Sequence, residues 1–193
     1  MNNFITKKII RKIILAKRSE LSGKDIISLS KVIENKIENL KEFREAKVVL
    51  CYIAKGNEVR TEGIINKSII QEKKVIVPKV DVSKQQLILQ KIKNVEDDLA
   101  LGFQGIFEPK SHLPVVKNLD EIDFAILPGI AFDRKGGRIG FGKGFFDKLF
   151  MNKTIHSILC GIAFDFQITE GFPHSNHDIS VDIIVSEERI IRC

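Results

Sequence analysis

The chain has 193 residues, of which 44% are hydrophobic and 29% charged, and its formal net charge is +6. These values are typical of a soluble globular protein with one sizeable core. The apolar runs are short and interrupted by charges, which excludes a membrane span, and the first residues do not resemble a secretory signal. Three widely spaced cysteines exclude a CxxC metal site and a disulfide framework, so we expect a reducing cytoplasm.

The positive charge favours anionic partners. The basic residues are spread along the chain, and they are not interleaved with aromatic residues as in RNA-binding segments. We therefore expect small anions such as nucleotides or polycarboxylates as partners, and neither nucleic acid nor a membrane. No feature of the sequence demands an oligomer, so we expect a monomer.

Two helices are predicted at the start of the chain. Residues 5–18 have apolar residues at helical spacing: Ile9, Ile10, Ile13 and Ile14. Lys7, Arg11 and Arg18 share one stripe of this helix, and a solvated basic face is the favoured interpretation of that stripe. Ser22 and Asp25 form a capping-box variant that predicts a second helix running to about Phe43.

The rest of the chain alternates between strand-like and helix-like segments. Helices are predicted at 61–72 and 144–151, and residues 95–116 are expected to be irregular. Strands are predicted at 48–54, 74–80, 123–127, 155–163 and 180–185, with 87–92 as an antiparallel addition. This alternation predicts a single three-layer α/β/α domain over residues 1–193, with a mostly parallel, Rossmann-like sheet.

A glycine-dense loop lies between the strand at 123–127 and the helix at 144–151. Gly140, Gly142 and Gly144 alternate with other residues, and Arg138 and Lys143 add positive charge. Glycines permit a positive φ, and successive N–H groups followed by a helix N-terminus can surround an anion. The loop matches neither the Walker pattern nor GxGxxG. The pattern predicts a phosphate cradle, with a plain surface loop as the alternative.

Several polar residues are candidates for a site near that loop. Asp147 in the first turn of the helix and Asp182 in an apolar strand are candidate Mg²⁺ ligands, although helix-terminus stabilisation and an edge position explain them equally well. Glu58 follows a strand whose end would face a ligand, but a loop glutamate is usually solvated. His174 and His177 are expected in a solvated loop rather than at a metal.

The run LPGIAFDRKGGRIGFGKGFFDKLF, at 127–150, resembles the signature of the 5-formyltetrahydrofolate cyclo-ligase family, PG-x-A-F-D-x-x-G-x-R-L-G-x-G-x-G-Y-Y-D. Four further segments resemble that family in the same order. They are Lys7-x-x-x-Arg11 with Arg18, Asn57-Glu58-Val59, the GIFEP run at 105–109, and the HDISVD run at 177–182. One departure is Phe145-Phe146, where the family commonly has two tyrosines.

The resemblance implies an enzyme that uses ATP and Mg²⁺ to convert 5-formyltetrahydrofolate to 5,10-methenyltetrahydrofolate. It implies catalytic roles for Arg138 and Lys143, folate contacts for Arg11, Ile53 and Glu58, and Mg²⁺ ligation by Asp147 and Asp182. The implied ATP contacts are Lys7, Lys8, Ile9, Ile10, Arg11, Arg138, Ile139, Gly140, Phe141, Gly142, Lys143, Gly144, Phe145 and Phe146. The alternatives are another phosphate-substrate enzyme on a related α/β scaffold, and a non-catalytic nucleotide- or RNA-binding protein.

Overall fold

The computed structural model of the chain describes residues 6–102, 105, 107–151 and 156–193. The predictions for residue 5, Ile106 and Ile155 lie outside these residues. The helices are α1 (Lys7–Ser19), α2 (Gly23–Asn39), α3 (Lys41–Glu45), α4 (Glu62–Ile70), α5 (Val95–Asp98) and α6 (Phe145–Phe150). Single 3-10 turns occur at Leu119–Glu121 and Asp165–Gln167.

The strands number more than the sequence predicts. The additional short strands lie in the region expected to be irregular, on both sides of residues 133–138, at 168–169 and after the last predicted strand. They are β1 (Val48–Cys51), β2 (Lys74–Asp81), β3 (Gln86–Ile92), β4 (Leu99–Leu101), β5 (Phe107–Pro109), β6 (Val115–Val116), β7 (Phe124–Leu127), β8 (Ala131–Asp133), β9 (Arg138–Ile139), β10 (Ile158–Ile162), β11 (Ile168–Thr169), β12 (Ile183–Val185) and β13 (Ile190–Arg192).

The main sheet has eight strands in the order β13-β12-β10-β7-β1-β2-β3-β6. The strands from β12 to β2 in this order are parallel, whereas β13, β3 and β6 pair antiparallel at the two edges. The predictions of a mostly parallel α/β sheet and of an antiparallel addition at 87–92 are confirmed.

Alternate residues of the central strands point to opposite faces of the sheet, which gives two separate cores. On one face Val49, Val75 and Phe124 pack against isoleucines and Phe43 of α2, α3 and α4. On the other face Leu50 and Ala125 belong to a cluster that includes Phe132 of β8 and Phe150 of α6. The second outer layer is therefore thin, being made of one short helix, a β-hairpin strand and turns.

The hairpin of β8 and β9 lies between the predicted strand and the glycine loop, and the sequence reading missed it. Residues Ala131 and Phe132 pair with Ile139 and Arg138, and β11 adds to β8 on the other side. Ile10 and Ile14 of α1 pack on this small sheet, together with Phe172. The hairpin thus fixes both the start of the glycine loop and the position of α1.

The first helices differ from the sequence prediction in detail. The capping box at Ser22 and Asp25 is present, but α2 ends at Asn39 and a separate turn of helix, α3, follows Leu40, whose ψ is 132°. In α1 only Ile10 and Ile14 of the four isoleucines are buried, while Ile9 and Ile13 are 49% and 47% exposed. The buried stripe continues not with an apolar residue but with Arg18, which is 7% exposed.

The position where a ligand is expected follows from the strand order. The chain forms β1, adds β2 on one side of it, and later places β7 on its other side. In open α/β sheets this reversal leaves a crevice beyond the carboxyl ends of the two strands. The residues directly after β1 and β7 are Tyr52 and Pro128, and both line a cavity at this crevice.

Candidate active site

A cavity of about 740 Å³ opens beyond the carboxyl ends of β1 and β7. One wall is the glycine loop with the start of α6, and α1 contributes Lys7 and Arg11 beside it. The opposite wall is formed by the loop after β1 and by the β2–β3 hairpin. The apolar residues of that wall are Ile53, Pro78, Val80 and Leu87. The cavity thus has a basic, glycine-rich side and a largely apolar side, and Glu58 lies in its lining.

The glycine loop at residues 140–144 has the backbone conformation that the sequence predicted. Gly142 and Gly144 have φ values of +93° and +63°, which L side chains rarely adopt. Arg11 Nε donates a hydrogen bond of 2.8 Å to the Gly140 carbonyl, so α1 holds the start of the loop. Lys143 is exposed at the cavity. Its amine is therefore available to an anionic ligand.

Arg138 and Asp147 form an ion pair at the base of the loop. Arg138 Nη2 donates to Asp147 Oδ1 at 2.7 Å, and Nη1 donates to the Pro128 carbonyl at 3.3 Å. The Arg138 side chain is 4% exposed and the Asp147 side chain 23%. Asp147 Oδ1 also accepts a hydrogen bond from the Ile179 N–H at 3.2 Å. Arg138 Nε is buried and lacks a partner among the described residues.

The basic stripe of α1 faces the site, and the prediction of a solvated basic face is therefore wrong. Lys7 forms an ion pair with Asp178, and Arg11 bonds to the glycine loop. Arg18 is buried, and burial is the main reason why its pKa lies below the usual arginine value. Three cations at helical spacing are thus directed at one surface.

Glu58 is buried rather than solvated, so the usual expectation for a loop glutamate is wrong here. It is 5% exposed, its Oε2 accepts a hydrogen bond of 3.0 Å from the Lys55 N–H, and its own N–H donates to the Lys55 carbonyl. Burial raises the pKa of Glu58, which the Lys55 N–H and the charges of Arg18, Lys55 and Arg60 partly oppose. Tyr52 beside it donates its hydroxyl to the Val59 carbonyl at 3.0 Å, which fixes the turn.

Most of the residues that the sequence proposed for the site line one cavity. This holds for Lys7, Arg11, Ile53, Glu58, Asp147 and the whole run from Arg138 to Phe146. It does not hold for Lys8, Ile9 and Ile10, because successive helix residues point about 100° apart. Lys8 and Ile9 are exposed outside the cavity lining, and Ile10 belongs to the core under α1.

Asp182 is not brought to Asp147. It comes directly before β12, at the opposite end of that strand from the carboxyl end, and it is absent from the lining of the cavity. Its Oδ2 accepts a hydrogen bond of 2.7 Å from the Leu159 N–H at the start of β10. The pairing of Asp147 with Asp182 as metal ligands therefore lacks support in the side-chain positions, since Asp182 is used to join two strands.

Asp178 is the carboxylate that the sequence reading passed over. It lines the cavity beside Asp147, and both also border a smaller cavity of about 400 Å³ next to Lys148 and His177. The Lys7 ammonium and the Ser175 N–H donate to it, and these partners hold its pKa below the usual aspartate value against the effect of burial. The resemblance of the HDISVD run to the family was the feature of the sequence that could have indicated Asp178.

Asp133 and His174 hold the loop that carries Asp178. Asp133 is 1% exposed and accepts hydrogen bonds from the Lys135 and Gly137 N–H groups. His174 Nε2 lies 2.7 Å from its other oxygen, and the imidazole stacks on Phe172. Among the described residues no group of three metal-ligating side chains surrounds either histidine. The contact between Asp133 and His174 therefore joins the loop that carries Asp178 to the turn between β8 and β9.

Known proteins resemble this chain over most of its length. A sequence model described as the 5-formyltetrahydrofolate cyclo-ligase family matches residues 4–187. The chain belongs to this family. A 5-formyltetrahydrofolate cyclo-ligase of Haemophilus influenzae is 32% identical to it over 76% of this chain and 80% of the relative. The Saccharomyces cerevisiae 5-formyltetrahydrofolate cyclo-ligase is 27% identical over 93% of this chain and 94% of its own length.

Solved structures of 5,10-methenyltetrahydrofolate synthetases share the fold. The Aquifex aeolicus protein superposes with a TM-score of 0.83 at 33% identity, over 96% of this chain and 92% of that one. The Mycoplasma pneumoniae protein superposes with a TM-score of 0.75 at 25% identity, over 94% and 98%. Membership of the cyclo-ligase family therefore extends from the motifs to the whole described fold. The chain is accordingly a ligase of folate metabolism, and none of its described helices is long and apolar enough to cross a membrane.

The two phenylalanines at which the chain departs from the tyrosine pair of the family signature are inside the cavity. Phe145 and Phe146 both line it, and Phe146 lies under the Arg138 guanidinium, 5.8 Å from ring centroid to Cζ. A phenylalanine keeps this cation–π contact but has no hydroxyl to donate. The contact with Arg138 is thus preserved by the substitution, whereas any hydrogen bond from a tyrosine at these positions is absent.

Proposed function

We propose that the chain catalyses the ATP-dependent conversion of 5-formyltetrahydrofolate to 5,10-methenyltetrahydrofolate, with release of ADP and phosphate. The observation that carries the proposal is the two-sided cavity. Its basic, glycine-rich wall suits a triphosphate, and its apolar wall with the buried Glu58 suits a flat heterocycle with hydrogen-bond donors. Both walls meet at the crevice beyond the carboxyl ends of β1 and β7, so the two substrates would contact each other there.

The chemistry requires activation of a poor leaving group. The formamide oxygen of the folate attacks the γ-phosphorus of ATP, ADP leaves, and an iminium phosphate forms. Nitrogen-10 of the folate then attacks the activated carbon and gives up its proton to water, phosphate departs with the former formyl oxygen, and the bridge closes. Phosphoryl transfer depends mainly on positioning and on neutralising charge. The protein would supply positioning donors and cations rather than a covalent nucleophile.

On the nucleotide side, Lys143 is the residue that touches the transferred phosphoryl group. It is exposed at the tip of the loop, and the left-handed glycines on either side let the loop N–H groups approach the phosphates. Arg138 is held by Asp147 and by the Pro128 carbonyl, so it adds positive charge beneath the loop. Lys7 and Arg11 complete this basic wall from α1.

On the folate side, Glu58 would orient the pterin ring. Its Oε2 is already engaged by the Lys55 N–H, which leaves Oε1 to accept from the ring. An ionised carboxylate accepts such hydrogen bonds more strongly than a neutral one. Ile53 and the apolar residues of the β2–β3 hairpin would pack on the ring faces, and Arg11, which also lines the cavity, would contact the folate.

Magnesium would accompany the ATP. Asp147 and Asp178 are the two aspartates that line the cavity, and hard carboxylate oxygens with phosphate oxygens are the donor set that Mg²⁺ prefers. When bound, the ion would neutralise charge on the triphosphate. We place the protein ligands at this pair, in preference to Asp182, because Asp182 hydrogen-bonds to the β10 backbone away from the cavity. Three free thiols, two of them buried, support work in a reducing cytoplasm. The chain would act as a monomer, which the elution volume of the native protein would check.

The test mixes purified protein with 5-formyltetrahydrofolate and Mg²⁺, with and without ATP, and follows the near-ultraviolet absorbance of the methenyl product. A rise that depends on ATP is expected. A rise without ATP would contradict the phosphoryl-transfer mechanism. A folded protein that binds ATP but gives no rise would favour the alternative of nucleotide binding without folate turnover.

A further inference from the structure

Phe141 is a large apolar side chain on a loop otherwise made of glycine and lysine. It lies between Gly140 and Gly142, lines the cavity, and is 45% exposed. The tip of the loop has little other support, because a Cβ built on Gly142 would meet no atom within 4 Å among the described residues. A phenyl ring has neither a positive charge nor a hydrogen-bond donor for an anion. Anion binding therefore does not explain an exposed aromatic residue at this tip.

The ring of Phe141 lies beside two cations. Lys55 Nζ is 4.6 Å from the ring centroid, and Arg18 Cζ is 5.6 Å from it. Both distances fall within the range of cation–π interactions. Arg18 is 7% exposed, so the cation of this pair is shielded from water, and cation–π interactions are stronger when the cation is desolvated.

Both cations are attached to the loop that carries Glu58. The Lys55 N–H and carbonyl bond to the Glu58 carboxylate and N–H, so residues 55–58 form one hydrogen-bonded turn. The Arg18 carbonyl accepts a hydrogen bond of 3.1 Å from the Asn57 side-chain amide. The Phe141 ring is therefore joined to that turn from two directions.

We propose that Phe141 is a positioning residue that couples the two halves of the site, by tying the glycine loop to the turn that bears Glu58. This inference rests on the proposed function. A folate held by Glu58 orders the turn at Lys55, and through the Phe141 ring it orders the nucleotide loop. ATP therefore binds more tightly to the protein that already holds folate, and by thermodynamic necessity the reverse is also true.

The assignment differs from one in which every residue of the loop contacts ATP. A plain nucleotide contact would weaken ATP binding equally with and without folate when it is removed. A coupling residue changes the ratio between the two affinities. One or two cation–π contacts are enough to produce a ratio of about five to ten.

The test measures the Kd of a non-hydrolysable ATP analogue by calorimetry, with and without saturating 5-formyltetrahydrofolate, in the presence of Mg²⁺. The variants are Phe141→Ala, Phe141→Leu and Phe141→Tyr. The ratio of the two Kd values should be roughly five or more in the native chain and in Phe141→Tyr. It should fall to near one in Phe141→Ala and also in Phe141→Leu, which keeps apolar bulk but has no ring.

Turnover is assayed in parallel with the binding measurements. If the native protein shows ATP-dependent turnover while its ratio is one, or while Phe141→Ala keeps the native ratio, the coupling inference is wrong and the proposed function stands. If Phe141→Leu matches the native ratio, bulk rather than the cation–π contact holds the loop, and the inference is equally overturned. A native protein that binds the nucleotide analogue but neither binds nor converts the folate would refute the proposed function itself.

Discussion

The ion pair between Arg138 and Asp147 allows a prediction about which partner is the more costly to remove. Asp147→Asn keeps the size of the side chain and removes its charge. It leaves the Arg138 guanidinium, whose side chain is 4% exposed, with only the Pro128 carbonyl as a full partner and with Nε still unsatisfied. Arg138→Met removes the cation and the unsatisfied donor together, and leaves Asp147 to the Ile179 N–H and to water.

The magnitudes follow from this asymmetry. Removing one partner of a buried pair costs about 3–5 kcal/mol, and the 23% exposure of Asp147 lowers that figure to about 2–4 kcal/mol for Asp147→Asn. For Arg138→Met we expect a loss of about 1–2 kcal/mol, because the remaining carboxylate is reached by water. The double variant should lose about the same as Arg138→Met alone, which gives a coupling energy equal to the Asp147→Asn loss, roughly 2–4 kcal/mol.

The assay is urea denaturation of the ligand-free protein in the presence of a chelator, so that neither ATP nor a metal ion contributes. In thermal unfolding of the same variants, Tm should fall by about 2–4 °C for each kcal/mol lost in a chain of this size. The reasoning would be refuted if Arg138→Met proved more destabilising than Asp147→Asn, or if the two losses simply added. Either result would mean that Arg138 stabilises the fold mainly through its other contacts, such as that with Phe146.

Three further predictions concern single residues. Lys143→Ala should reduce turnover by about 10²–10³-fold, as for the loss of one charge-stabilising donor, with an unchanged Tm because Lys143 is exposed; a fall of less than threefold would remove Lys143 from the mechanism. Glu58→Gln should abolish most turnover yet stabilise the ligand-free protein at neutral pH. Burial raises the pKa of Glu58. Its contribution to the free energy of unfolding is therefore complete below about pH 4.3, the ordinary glutamate value, and is lost as the pH rises through the higher folded pKa. The stability advantage of Glu58→Gln in urea titrations should therefore grow from acid to neutral pH, and an advantage that shrank would contradict this sign. Gly161→Ala should cost about 1–3 kcal/mol, because its Cβ would overlap Cε1 of the buried Phe132. Gly171→Ala, whose Cβ meets no described atom within 4 Å, is the matched control and should stay within about 0.5 kcal/mol.

The sequence was sufficient for the order of the main elements because their signals are local. The β-branched runs that became β1, β2 and β7 and the capping box at Ser22 each determine their structure from neighbouring residues. The hairpin of β8 and β9 was missed because its strands have only three and two residues. Their pairing depends on Gly136, with φ of +83°, and on Asp133, which accepts from the turn, and neither produces an alternating pattern.

The site was harder to predict, because burial of a polar side chain depends on residues far away in sequence. Glu58 and Arg18 have polar or charged neighbours in the sequence, and for that reason both were assigned to solvent on pattern alone. Both are buried in the fold. Asp178 and Asp182 occur in one short run, and only the strand order shows that one faces the cavity and the other joins β10 to β12. The resemblance to the family identified the segment at 177–182, but it did not show which of its two aspartates lines the cavity.

The contacts of α1 affect the order in which parts of the protein unfold. Its contacts with the site join residues 171 positions apart, Lys7 with Asp178, and 129 positions apart, Arg11 with Gly140. Contacts of such separation close a long loop and carry its entropic cost, so they are expected to form late in folding. Within the helix only Ile10, Ile14 and Arg18 are buried.

The helix is therefore a weakly anchored unit that can open before the sheet does. Once it opens, the glycine loop loses the hydrogen bond at Gly140, and the basic wall of the cavity loses Lys7 and Arg11. A ligand that needs this wall binds only the closed form and holds α1 down by mass action. Amide exchange along α1 would then slow in proportion to ligand occupancy, while exchange in the central strands, already limited by global unfolding, would change far less.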